Sequence, residues 1–331
     1  MPTTGLLSAN DFLVAAKSEA TYGTDPFGST IDEFIGFEEF SVTSELEIVE
    51  DEVIRGVHSG YEDQRFGSSC SVSWTLPITG KAADAGDAPL WNMLLKSGNF
   101  AETINAATSV EYSLITGMSM TDVPSVSYAY YMLEQERDNA RLMKIHGCRG
   151  NRTLSFEMGQ VARISGEDTG LFTDFPDATV SIPDNPTTYT GNKKPLLVVG
   201  MTAEIGGSAY ALESVSIETN WNIVEDRDAT TAGSTLAHVG LTRSVGNRVG
   251  GEMAIKGRAA TLNTIVGKLR DGDTFALHIE LSDGTDTFEL DCPSIQFGNY
   301  SESRDGHVHF GLPFFCNATG AGENEIKLTF S

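Results

Sequence analysis

The tetrapeptide Ile-Val-Glu-Asp occurs twice, at Ile48–Asp51 and at Ile223–Asp226, an offset in numbering of 223 − 48 = 175. The pattern upstream of each copy agrees as well. Phe40, Val42, Leu46 and Ile48 alternate with polar residues, and Val215, Ile217, Trp221 and Ile223 do so in the same register. Alternation at period two marks a strand with one buried face, because successive side chains point to opposite sides of a sheet. A four-residue match alone arises easily by chance. Embedded in a longer agreement of pattern, it points to internal duplication of a β-rich unit. A chain of that kind is more often a binding array or a pseudo-symmetric building block than an enzyme.

At 331 residues the chain is long enough for two domains, each able to bury an adequate core. Pro176, Pro183 and Pro186, set among Asp, Thr and Gly, mark residues 174–194 as a linker between a first domain at 1–173 and a second at 195–331. The first unit reads as a strand near Glu39–Glu50, a long polar loop over Val53–Ser68, and a strand carrying Val72, Trp74 and Leu76. A short helix is expected over Ala88–Ser97, with Asp87 as N-cap, Pro89 in the first turn and Gly98 after the end. Its i, i+4 pairs Leu90/Leu94 and Trp91/Leu95 would bury one face. Strands follow at Tyr112–Ile115, Val126–Met132 and Leu142–Ile145, then a turn at Gly150-Asn151 and a strand with Leu154, Phe156 and Met158. The second unit repeats the order: strand Leu212–Val224, loop Asp226–Gly250, a strand with Met253 and Ile255, helix Ala260–Leu269. Antiparallel strands then carry Phe275–Leu281, Phe288, Leu290, Ile295 and Phe297, with turns at Asp283-Gly284 and Asp305-Gly306, and Glu325–Phe330 closes the chain. The expected fold is mainly β, with two sandwich- or barrel-like units, each flanked by a short helix.

Acidic residues outnumber basic ones by 46 to 22. That balance argues against a nucleic-acid binder, whose affinity rests on Lys and Arg neutralising phosphates. It suits a surface that repels DNA, and equally one that is merely soluble. The longest apolar run, Leu196–Val199, is far too short to cross a bilayer, and Met1–Leu13 lacks the basic-then-apolar order of a secretory signal. The chain is expected to fold in a cytoplasm. Cys70, Cys148, Cys292 and Cys316 lie far apart with no Cys-x-x-Cys, so free thiols are the first expectation and disulfides between subunits the second.

No constellation for catalysis is apparent. Gly80-Lys81 lacks the other residues of a phosphate-binding loop, and neither a Gly-x-Ser-x-Gly elbow nor a His-Glu-x-x-His pair occurs. Asp271 and Asp273 begin like a calcium loop, but Phe275 stands at the next ligand position. His307 and His309 would share one strand face without a third ligand nearby, which fits an exposed pair better than a zinc site. Glu45, Glu47, Glu50, Asp51 and Glu52 form an acidic run best read as a solvated strand edge. The sequons at Asn151 and Asn317 need a secretory route that nothing here suggests. Trp74, Trp91 and Trp221 occupy core-facing positions. The expectation is no enzyme, no cofactor and no metal.

Several segments do resemble a known family. Asp11-Phe-Leu-Val-Ala-Ala-Lys17 with Glu19-Ala-Thr-Tyr-Gly-Thr-Asp25 resembles the N-terminal signature of the tail tube (major tail) proteins of long-tailed, siphovirus-type bacteriophages. Pro89–Gly98 is similar to their helix segment, and His146-Gly-Cys-Arg-Gly-Asn151 with Leu154–Met158 to their glycine turn and following strand. Asp305-Gly306, Leu312–Phe314 and Glu323–Leu328 are similar to the family's C-terminus. The resemblance implies a structural virion protein whose inner sheets join into one barrel, in rings that stack into a hollow tube for DNA delivery. Two units per chain would let three chains complete a pseudo-sixfold ring. The implied partners are further copies of the chain and the tape measure, tip and terminator proteins, with viral DNA passing unbound. Another tail or injection-machine component, or a tandem carbohydrate-binding β-sandwich, is the alternative.

Overall fold

The computed structural model describes residues 7–28, 31, 33–49, 64–81, 84, 86–115, 123–134, 139–172, 179–180, 188–189, 194–199, 202–205, 208–210, 212–227, 237–242, 248–256, 267, 269–305, 307–319 and 324–331. The protein is mainly β and dominated by one large antiparallel sheet of 18 strands. In chain order the first elements are β1 (Leu7–Ser18), β2 (Glu33–Phe34), β3 (Glu39–Val49), β4 (Gln64–Pro77) and the helix α1 (Asn92–Lys96). After the helix come β5 (Phe100–Asn105), β6 (Ser109–Leu114), β7 (Val126–Glu134), β8 (Ala140–Glu157) and β9 (Arg163–Phe172). Within the expected linker, β10 (Thr179–Val180) pairs with the start of β8, and β11 (Thr188–Tyr189) runs parallel to β2. The remainder comprises β12 (Thr202–Ile205), β13 (Ser208–Tyr210), β14 (Leu212–Glu218), β15 (Asn222–Arg227), β16 (Ala237–Thr242) and β17 (Gly250–Lys256). The last strands are β18 (Phe275–Ser282), β19 (Thr287–Phe297), β20 (Ser301–Asp305), β21 (His307–Cys316) and β22 (Lys327–Phe330).

One succession of pairings occurs twice. In the first half it runs β1–β7–β8–β9–β4–β3. In the second it runs β12–β18–β19–β21–β17–β14, with β20 continuing the line of β19 along β21. Registers agree as well as order. Phe40 faces Trp74 and Val42 faces Val72; Val215, offset from Phe40 by 215 − 40 = 175, faces Met253, and Ile217 faces Gly251. The β7–β8 ladder slips by one residue between Val126 and Tyr128, and the β18–β19 ladder slips between Phe275 and Leu277. Even the isolated bridge Val14–Ile35 has a counterpart in Ala203–Tyr210, again with 210 − 35 = 175. A bulge bends its strand and re-aims the residues around it, so two bulges at one register position bend both sheets at the same place.

The halves are joined directly. The last five residues of β8 pair with β14, Phe156 opposite Val215 and Leu154 opposite Ile217, while β22 pairs with both β6 and β19. One apolar core runs from Val14 to Phe330 and draws on both halves. Phe40 on β3 packs against Tyr128 of β7 with ring centroids 5.5 Å apart, and Phe156 of β8 against Phe288 of β19 at 5.9 Å. The sheet therefore folds back over itself, and its apolar faces meet inside.

Several local expectations need correction. Gly150-Asn151 is not a turn: it lies in the middle of the 18-residue strand β8. A Cβ on Gly150 would stand 1.8 Å from the Glu167 carbonyl oxygen, so this glycine serves a close backbone approach between β8 and β9. The turn-like glycine is Gly147, at φ +67° within the bulge. The helix begins later than Ala88, because Asp87 accepts from the Asp84 amide and makes no helix cap, and Leu90 is exposed while Trp91, Leu94 and Leu95 are buried. Met158 is exposed in the turn beyond β8. The expected strand Leu212–Val224 is broken between β14 and β15, where Asn220 adopts φ 53°. Parts of both expected long loops are strand: Gln64–Ser68 extends β4, and Ala237–Thr242 is β16. Most of the expected second helix lies outside the described residues, although residues 269–271 are helical.

Candidate functional site: the open face of the sheet

Alternation along β3, β4, β9, β8, β14 and β17 gives the sheet a second face, opposite the core. Its residues form rows across the strands. One row reads Glu39, Thr75, Ser165, Thr153 and Glu218, and so crosses from the first half into the second. The next reads Ser41, Ser73, Glu167 and Asn151, with the Ser41 and Ser73 hydroxyls 2.7 Å apart. A third reads Arg163, Ser155, Ser216 and Glu252. Together they floor an open trough of about 590 Å³, continued by a second of about 410 Å³ over β8, β14 and β17. Short hydroxyl side chains leave the trough wide, and carboxylates at Glu39, Glu157, Glu167, Glu218 and Glu252 make it acidic. Arg163 brings a cation to these rows, and its Nε donates to Glu38 at 2.6 Å. Further along, β17 places Lys256 opposite His309, which pairs with Glu213.

The buried side holds polar groups that no sequence motif marks. Arg152 and Asp168 form an ion pair at 2.6 Å with both side chains fully buried. Asp168 also accepts from Trp74 Nε1 at 2.8 Å and from the Tyr128 hydroxyl at 2.6 Å. Arg152 donates onward to the Leu94 carbonyl and the Ser97 hydroxyl, each at 2.6 Å, and lies over the Trp74 ring. A guanidinium at a helix C-terminus satisfies carbonyls that have no helical partner. The network thus fixes where α1 sits on the sheet. Burial and the neighbouring Asp168 charge push the Tyr128 hydroxyl well above the ordinary tyrosine range.

A second anchor involves the N-terminal segment and the glycine turn that carry the family resemblance. The Glu19 carboxylate accepts hydrogen bonds from the Ser125 and Ser127 hydroxyls and from the Gly23 and Gly147 amides. Arg149 lies over the Tyr22 ring, 4.7 Å from its centroid. Residues 19–25 are therefore clamped onto the β8 bulge. Ser127 also meets His146 Nδ1 at 2.9 Å, which places a serine, a histidine and a carboxylate together. Glu19 bonds the serine and not the imidazole, and both Ser127 and His146 are buried, so the trio lacks the geometry and access of a nucleophilic triad.

All four cysteines are free and buried. Burial pushes the Cys70 thiol up to about 12, and Cys148 and Cys292 stand well above the usual range; for Cys292 a hydrogen bond with the Cys316 thiol is the first cause and burial the second. Trp74, Trp91 and Trp221 are buried, as expected. Among the described residues no three metal-ligating side chains cluster. The side chains of His307, Glu45 and Glu47, and the whole of residues 50–52 of the acidic run, lie outside what the structure describes; the backbone of Glu45 and Glu47 is in β3. No helix among the described residues is long and apolar enough to cross a membrane. No protein-family model matches the chain, and no curated protein matches it.

Proposed function

We propose that the chain is the repeating subunit of a phage tail tube: a structural virion protein that assembles into stacked rings around a lumen through which DNA is delivered. The observation that carries this reading is the open face, a continuous, acidic, hydroxyl-lined surface that runs unbroken across the β8–β14 junction. Carboxylates there repel a polyanion, and short hydroxyls give it nothing to grip. The trough is open along its length and floored by short polar side chains, which suits passage better than capture.

Ring size follows from strand geometry. The path β3–β4–β9–β8–β14–β17–β21–β20 contributes eight strands per chain. At about 4.8 Å per strand and a tilt of about 40°, three chains close a barrel about 48 Å wide between backbones. Allowing about 5 Å for side chains on each wall leaves a bore of about 38 Å, ample for a duplex about 20 Å across. Two chains would leave only about 22 Å by the same geometry. Three chains with pseudo-sixfold symmetry is the ring we propose, built in the bacterial cytoplasm and carried in the virion tail. Its partners are further copies of the chain and the tape measure, tip and terminator proteins. A tandem carbohydrate-binding sandwich would need several exposed aromatic rings on this face; the three tryptophans are buried, and the exposed ring here is Phe315, at the β21 end of the first row.

The test is electron microscopy of the concentrated, purified chain. Hollow tubes of stacked rings are expected. Discrete monomers at every concentration, even with tail-tip complexes added, would overturn the reading.

A further inference from the structure

Each half carries two buried thiols near one register position, but the halves place them differently. In the first half Cys70 of β4 stands opposite Gly170 of β9, and Cys148 reaches over that glycine from β8. These two thiols are two strands apart, about 9–10 Å between backbones, which is beyond the span of a disulfide. At the matching registers of the second half, Val249 replaces Cys70, Ile295 replaces Cys148 and Cys316 replaces Gly170. Cys292, opposite Leu277, in turn takes the place of Ile145, opposite Tyr128. The second half thus puts a thiol on the central strand, where the first half has a glycine.

Gly170 shows what that exchange brings together. A Cβ built there would lie 3.1 Å from Ile145 Cγ2, the position that Sγ takes in a cysteine. By register, the Cβ of Cys316 faces the Cys292 sulfur in the same way. A disulfide sets the Cβ of one residue about 3 Å from the Sγ of the other. The two thiols are accordingly hydrogen-bonded to each other, and both side chains are fully buried. We propose that Cys292 and Cys316 are an oxidisable pair that closes as an intrachain disulfide and staples β19 to β21. The oxidant is a small-molecule disulfide. One cysteine thiolate attacks it and releases its first thiol; the other thiolate then attacks the mixed disulfide and releases the second. The Sγ–Sγ bond forms, both cysteine protons end on the departing thiols, and the oxidant takes up the two electrons. Burial keeps reagents out, so the step waits on local opening of the strand pair. The bond encloses 316 − 292 = 24 residues, β20 among them. It lies within one chain, and its test does not depend on assembly.

The test treats the unaltered chain with bis(2-hydroxyethyl) disulfide, removes the reagent and alkylates the remaining thiols in denaturant. Two of the four thiols should be lost, and the intact chain should be lighter by two hydrogens. Non-reducing digestion should join the peptides that hold Cys292 and Cys316, while Cys70 and Cys148 are recovered alkylated. Mild denaturant should speed the loss, because it promotes opening. The oxidised chain should melt about 5 °C higher, and a reductant should reverse the gain. Cys316→Ser should gain nothing from the oxidant. Should that variant fold poorly, the peptide map of the unaltered chain decides alone. Four free thiols under conditions where amide exchange shows β19 and β21 opening would overturn the pairing. So would a Cys70–Cys148 link in comparable yield. A Cys292–Cys316 link that lowers the melting temperature would overturn the staple.

Discussion

The two halves share strand order, register and even bulge position, yet they fill equivalent core positions with opposite chemistry. In the first half Trp74, Tyr128 and Asp168 converge with Arg152 on a buried ion pair. At the matching register positions the second half has Met253, Leu277 and Phe314, all buried and apolar. The fold therefore does not require the ion pair. What the first half gains from it is a fixed helix, because Arg152 reaches the last turn of α1 through Leu94 and Ser97. A buried pair contributes little net stability over hydrocarbon, but it is costly to break from one side.

That contrast can be broken most sharply at Arg152. Arg152→Ala strands a buried carboxylate and should cost about 3–5 kcal/mol, seen as a lower denaturant midpoint with α1 no longer held to the sheet. The double variant Arg152→Met with Asp168→Leu should cost clearly less than the single one, since it imitates the second half. If both cost the same, the network is not what separates the halves. Next in size are the glycines at close approaches in each half. A Cβ on Gly150 would stand 1.8 Å from the Glu167 carbonyl oxygen, and one on Gly251 1.8 Å from that of Ser216. Gly150→Ala and Gly251→Ala should each cost about 1–3 kcal/mol by thermal melting, similarly in both halves.

A functional contrast sets the two faces of the sheet against each other. Glu167→Lys with Glu218→Lys alters only the open face, so assembly should persist while tubes begin to retain duplex DNA at low salt. Retention should fall steeply as salt rises, and a gel-shift titration measures it. Unchanged DNA behaviour would remove the open face from the lumen.

The smallest effect is expected outside the core, at His278. Burial lowers its affinity for a proton, but the hydrogen bond to Asp291 at 2.6 Å prevails and holds the imidazole above its ordinary value. A raised folded-state value means stabilisation present in full below about pH 6.5, lost as pH rises through that raised value. The pair is about one-third exposed, so His278→Gln should cost no more than about 0.5 kcal/mol at pH 5.5 and nothing at pH 9. Its register counterpart is the buried Ala129, and the first half should lack this pH response.

Strands facing the core were legible in the sequence wherever alternation was clean, as in Phe275–Leu281 and Val72–Leu76. The offset found in one tetrapeptide reappears in the strand registers. Two strands inside expected loops were not legible for different reasons: Gln64–Ser68 is polar and reads as loop, whereas Ala237, Val239 and Leu241 do alternate with His238, Gly240 and Thr242, a signal too short to stand out behind the Thr- and Gly-rich residues before it. Gly150 misled because a glycine beside asparagine is a turn signal, while the need it meets is a carbonyl on the next strand. Arg152 and Asp168 were invisible because isolated charges are normally exposed, and only the fold brings 16 residues of separation to 2.6 Å. The open face was implied by the polar half of each alternation, but which strands lie side by side was not.

The central claim is that three chains close one ring around an acidic lumen, and the mass of one ring tests it most directly. Scanning transmission microscopy of tubes, with end-on averages for symmetry, would count the chains. A ring mass three times the 35.6 kDa of one chain, with threefold symmetry and six similar lobes, is the predicted result. Six chains per ring, with one lobe each on the inner wall, would contradict it.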